Sequence, residues 1–470
     1  MSENEMTTDA PADYQSILFI EEGDRDPRTR RLIKSHVMLG KNRRAKKAHK
    51  SRRAGAVAKV AAHGIPPKIS CSAPWGALTN DSHIDPQVVV DVIQCASSAA
   101  TADTSKPSYS RGCFIGASAI GKARYLLGTC LPFLPLDRSY IESLWQDPSL
   151  FQTAVMMAET YFQFMRGEKD RCRSLMQVSK TIQILRKKLS LADESEQISN
   201  QTLFVVGCLA SYARVLGDDD AVRQHLEGIR RIIGLRGGME KLAETKLFVE
   251  LLRCDLGLAL HTGTKPLLMG RDQRFSAHPL YHDTLVTDTE AFLNLDGRVA
   301  QAWKLMARFC SLVNLATEAH GLIPWDLFLH TITSVISPLQ GIGFIAESFD
   351  EVVRLALLVV SSHVLLQWNS IKVPFDHLRT AYRDAILHSG ALHSATSQTR
   401  SWFLMIGAVT VFAEADNHWL RPRLKAQLKN TGIESWAEMR KILNSFLWVN
   451  VLLESPGRKI ICSLLEGDDS

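Results

Sequence analysis

No two of the nine cysteines in this 470-residue sequence stand closer than seventeen residues; they occupy positions 71, 95, 113, 130, 172, 208, 254, 310 and 462. Zinc fingers, zinc ribbons and six-cysteine zinc clusters grip their metal through tight pairs such as Cys-x2-Cys, so all three are excluded. The odd cysteine count and a polar, acidic stretch from Met1 to Asp13 fit reduced thiols in the cytosol or nucleus better than a secreted disulfide framework. Long apolar runs are missing too. The most apolar stretch, Leu355 to Trp368, is interrupted by Ser361, Ser362, His363 and Gln367, which describes a buried helix and not a membrane span.

Catalytic signatures are equally scarce. The sequence contains no Gly-x-Ser-x-Gly elbow, His-Glu-x-x-His pair or Asp-x-Asp-x-Asp loop. Gly116 to Lys122 has the spacing of a phosphate loop, but Ala123 follows where a magnesium-binding Ser or Thr belongs. The apolar Val88-Val-Val-Asp91 run lies upstream of it, in the wrong order for a nucleotide site. His278 and His282 are four apart, yet Pro279 between them favours a loop over a ligand-bearing helix face. The sequence therefore assigns no catalytic residue, no cofactor and no metal, and the chain is read as a non-enzyme.

Positive charge, by contrast, is concentrated. Fourteen Lys/Arg and one acidic residue, Asp26, lie between Arg25 and Lys59. That segment carries +13 in a chain whose formal net charge is +6, so the remainder is net acidic. Eight cations fall within thirteen positions: Lys41, Arg43, Arg44, Lys46, Lys47, Lys50, Arg52 and Arg53. Such a run binds a polyanion by releasing its condensed counterions, or serves as a nuclear import signal. The bland alternative is a solvated basic helix without a ligand. No leucine heptad follows Arg53, so a basic-region zipper is not expected.

The punctuation of the chain divides it into a disordered tail (1–15), a basic segment (16–60) with a helix over about 28–54, a linker with short helices (61–136), a helical body (137–455) and a C-terminal tail (456–470). Within the body, Asp147 caps a helix that Pro148 opens, and Phe151, Val155, Ala158, Phe162 and Met165 recur at helical spacing. Further helices are expected at 169–191, 197–215, 219–235, 245–260, 295–320, 325–336, 348–371, 374–388, 399–429 and 434–454. Convincing strands are absent. The fold class is all-α, a packed helical array without a fixed repeat.

Asp255 interrupts an otherwise apolar stripe formed by Phe248, Leu251, Leu252, Leu258 and Ala259. A carboxylate buried there needs a basic side chain or main-chain donors. The preceding helix ends in Arg236-Gly237-Gly238, whose glycines supply a left-handed cap with Met239 packing back. Arg236 on that turn is the first choice of partner for Asp255. Arg253, two residues away from Asp255, points elsewhere.

The segment His225 to Met239, with its terminal Leu-Arg-Gly-Gly, followed by Leu247 to Ala259 with Arg253-Cys-Asp255 and then Lys265-Pro266, resembles the fungal-specific transcription-factor regulatory domain. Glu351-Val-Val-Arg354-Leu355 matches that family's later Glu-x-x-Arg-Leu helix, and Phe19-Ile20, Pro27, Ile33 to Met38 and Arg43-Arg44 resemble the head segment of members that lack a zinc cluster. The resemblance covers roughly 17–54 and 137–455. It implies a nuclear transcription regulator whose helical body serves ligand response, dimerisation or contact with the transcription machinery. Many relatives contact DNA through a six-cysteine zinc cluster, which this chain lacks, so the basic segment is its one candidate element for duplex DNA. A nuclear co-regulator that meets partner proteins and an import receptor without touching DNA is the alternative.

Overall fold

The computed structural model describes residues 125–131 (except 129), 147–268 and 295–466, with breaks at 168–170, 192–193, 243–244, 370, 391 and 393–394. Of the described residues 77% are helical and none is in a strand, so the all-α class holds for them. The basic segment, the Gly116–Lys122 loop and the 278–282 histidines lie outside the described residues.

Among the described residues thirteen α-helices of seven or more residues build the body. They are α1 (Pro148–Met165), α2 (Cys172–Leu191), α3 (Asn200–Leu216), α4 (Asp219–Leu235), α5 (Lys246–Thr262) and α6 (Gly297–Glu318). Then follow α7 (Trp325–Thr331), α8 (Phe349–Ser361), α9 (Asp376–His388), α10 (Ser397–Val409), α11 (Asn417–Thr431), α12 (Trp436–Asn444) and α13 (Asn450–Leu465). Sequential helices pair as antiparallel neighbours (α1 with α2, α3 with α4, α8 with α9, α10 with α11), as short connections dictate. One large apolar core runs through the array, with a smaller cluster of Ala158, Tyr161, Ile371 and Val373 apart from it.

Local sequence explains most of the boundaries. Ser199, Asp218 and Thr245 each accept a first-turn amide through their side-chain oxygen, at 3.2, 3.0 and 3.2 Å, and so cap α3, α4 and α5. The expected glycine cap of α4 is present: Gly237 and Gly238 take φ of 86° and 111°, Gly238 N–H donates to Ile233 O at 3.0 Å, and Met239 is buried. The long C-terminal helices depart from expectation. The 399–429 span is two helices, because Phe412 closes back on α10. Its N–H donates to Gly407 O at 2.9 Å, and its ring fills the place where a Cβ on Gly407 would stand. The 434–454 span is also two helices. Asn314 holds the break by donating to Trp448 O (2.9 Å) and accepting from Asn450 N–H (2.8 Å).

Two domain boundaries also move. Residues 456–466 are not a tail: α13 runs through Pro456-Gly457 to Leu465, with Gly457 pressed against the Trp436 and Trp448 rings and Ile461 and Leu464 buried. At the other end, Tyr125, Leu127, Cys130 and Leu131, placed in the linker by sequence, are buried in the core. Cys130 O accepts Ile323 N–H at 2.7 Å, which ties this turn to the residues before α7. Helices α7 and α8 each pass into a single π turn, Ile332–Ile336 and Ser362–Leu366. The second leads directly into the connection that shapes the candidate site.

Candidate functional site

Polar groups buried in this core gather where α3, α5 and the 367–375 connection meet. Helix α5 is buried on nearly every side from Phe248 to Leu260, so its polar side chains must find partners inside the protein. Asp255, 1% exposed, finds them in the main chain: Oδ1 accepts Leu267 N–H at 2.7 Å and Oδ2 accepts Leu268 N–H at 2.8 Å. The carboxylate thereby ties down the loop that follows α5. The expected pairing with Arg236 is overturned. Arg236 caps α4 with helical dihedrals, and its Nη1 has no hydrogen-bond partner. A turn held by two left-handed glycines directs the following chain toward Met239 rather than bringing the arginine to α5.

Arg253 does point elsewhere, as its spacing requires. Its Nη2 donates to the carbonyls of Leu366 (3.3 Å) and Gln367 (3.0 Å), where a cation meets the negative end of the α8 helix and its π turn. Its guanidinium also lies over the Tyr125 ring at 4.2 Å and 3.7 Å from Glu250 Oε2, while the Tyr125 hydroxyl donates to Glu250. Gln367 then braces the connection through its side-chain amide, which donates to Val373 O at 2.7 Å and accepts Val373 N–H at 2.9 Å.

Arg214, in the last turn of α3, faces the same region. Its Nη2 donates to Pro374 O and, at 3.5 Å, to Gly257 O, and its guanidinium lies 5.8 Å from the Phe375 ring centre. Nε and Nη1 have no hydrogen-bond acceptor; Nη1 stands 3.9 Å from Asp219 Oδ1, beyond hydrogen-bond reach. Burial pulls this guanidinium below the ordinary arginine value, with Asp219 opposing. Asp219 also lies 3.3 Å from His261 Nε2, while His261 Nδ1 accepts the Asp376 N–H at 3.2 Å. That fixes the tautomer with the proton on Nε2. Burial and then Arg214 hold His261 below its usual value, so it is neutral at pH 7.

A small cleft, open to solvent on one side, lies among these elements. No group of His, Cys, Asp and Glu among the described residues is arranged to hold a metal ion. Nor is any described helix long and apolar enough to cross a membrane. The Glu351/Arg354 pair of the resembling motif has a visible structural task. Arg354 grips Glu351 with two nitrogens, at 2.5 and 2.7 Å, and donates to Leu339 O at 2.9 Å, which joins α8 to the end of the α7 extension. Sequence reading missed Arg214 and His261 because no local motif marks either; their partners come from other elements of the fold. Comparison with protein-family models, with curated proteins and with solved structures finds no match for this chain.

Proposed function

We propose that this protein is a nuclear transcription regulator of the fungal-specific type, with an all-α regulatory body and a basic N-terminal segment for import and for contact with DNA phosphates. The observation that carries the reading is the density of cations from Lys41 to Arg53 on a chain that is otherwise net acidic. The sequence resemblance of α4, α5 and α8 to the regulatory domain supports the same conclusion. The body is then a regulatory unit, not a catalytic one.

Changing Arg43, Arg44, Lys46 and Lys47 to alanine sends a tagged copy to the cytoplasm on this reading, and undiminished nuclear accumulation sinks it. With six to eight cations on phosphates, log K for duplex DNA falls with log salt at a slope of about −5 to −7. A slope near zero for the full chain, with import still dependent on the segment, favours the second reading of a co-regulator that touches only proteins. The missing zinc cluster and the missing zipper favour that second reading as well. Chromatin occupancy of the tagged protein, compared with a deletion of residues 25–60, decides between them.

A further inference from the structure

The cleft between α3, α5 and the 367–375 connection contains a buried cation, Arg214, of which only Nη2 makes hydrogen bonds, with Asp219 as its ion-pair neighbour at 3.9 Å. Arg214 is 5% exposed, yet its Nε and Nη1 carry N–H groups that bond to nothing in the protein. Buried donors are satisfied in nearly all proteins, and a charged one left unmade is costly, so the site is short of an acceptor. Beside Nε the protein also leaves room. Gly257 carries no side chain on this face of α5, and a Cβ on it would lie 3.9 Å from Arg214 Nε and 3.8 Å from Phe375. Room for one methyl group next to the guanidinium is therefore open. The remaining lining is largely apolar and aromatic, with Leu366, Trp368, Val373 and Phe375 on the connection.

We propose that this cleft binds a small monocarboxylate with a flat apolar body, the carboxylate accepting from Arg214 and the body lying against Phe375 and Trp368. Cation and hydrogen-bond donor together select an oxyanion over a neutral amide. Carboxylates already near the cleft, Glu250 within its lining and Asp219 beside Arg214, disfavour a dianion such as phosphate. Arg253 lines the cleft too and adds positive potential while it holds the Leu366 and Gln367 carbonyls. The inference is independent of the transcription reading, since it concerns binding by the helical body alone.

Calorimetric titration of the full chain with benzoate, benzamide and inorganic phosphate tests it. Benzoate should saturate one site, benzamide should bind at least tenfold more weakly, and phosphate should give no saturable heat. Gly257→Ala fills the space beside Nε at ordinary contact distances, so it should weaken benzoate at least tenfold while its melting temperature holds or rises. Arg214→Lys keeps the charge but moves the donors, and it should weaken benzoate to a similar degree; it carries the test if Gly257→Ala fails to fold. The proposal is overturned by absence of saturable benzoate binding, by equal affinity for benzamide, by phosphate binding in its place, or by undiminished benzoate affinity in the folded variants.

Discussion

Asp416 and Arg214 are both buried charges at a junction of three elements, yet the protein treats them differently. Asp416 is closed: Oδ2 accepts Arg379 Nε (2.8 Å) and Ala413 N–H (2.9 Å), and Oδ1 accepts the Trp419 indole at 3.3 Å. Burial alone would raise this carboxyl, but those bonds hold it below the usual carboxylate value. Arg214 is left open on two of its three nitrogens, next to a glycine and a cleft. A charge whose donors converge on it from its own helix junction is there to fix the fold. A charge with unused hydrogen-bonding capacity beside empty space is available to something else.

The comparison breaks first at its closed side. Asp416→Ala strands the Arg379 guanidinium, an indole N–H and a main-chain amide, so it should cost about 3–5 kcal/mol in urea denaturation. Asp255→Ala, which strands the Leu267 and Leu268 amides, should cost about 3 kcal/mol. A change under 1 kcal/mol in either would show that these carboxylates are not structural. Arg214→Gln should cost less than Asp416→Ala, since the protein gives the arginine fewer bonds to lose.

A pH titration of stability is the next largest effect. Full burial, reinforced by Lys372, pushes His363 down to about 3, against about 6.5 in an unfolded chain. The unfolded state therefore binds more protons at mildly acid pH. The neutral imidazole's contribution is complete above pH 6.5 and is lost as pH falls from there toward 3. Between pH 7 and pH 5 the loss from His363 alone should be about 2 kcal/mol, and His363→Gln should flatten that slope. His261, also held below its usual value, adds to the loss in the same direction.

The smaller effects sharpen the open side. Gly257→Ala removes a helix-interior glycine without a clash and should stabilise the fold by about 0.5–1 kcal/mol, while closing the cleft. Arg236→Ala should change stability by less than about 0.5 kcal/mol, and a double-mutant cycle with Asp255→Ala should show no coupling between them.

Helix positions were legible in the sequence wherever periodicity and caps agreed. Ser199, Asp218, Thr245 and the Gly237-Gly238 pair mark ends that local hydrogen bonding enforces, because each cap is made within a few residues. Asp255 was legible as a buried carboxylate, since only Asp breaks that run. Its partners were not, because the Leu267 and Leu268 amides come from an irregular loop that no periodicity describes.

By itself the sequence determined the all-α class, the concentration of charge before residue 60 and the burial of the central helices, each of which follows from residue type and spacing along one stretch of chain. Only the tertiary structure decided where the long C-terminal helices break, that Pro456-Gly457 lies inside a helix, and that Arg214 and Gly257 share one cleft. Those outcomes depend on packing between residues far apart in sequence, such as Gly457 against Trp436 or Arg214 against Pro374, where burial and hydrogen bonding outweigh local propensity.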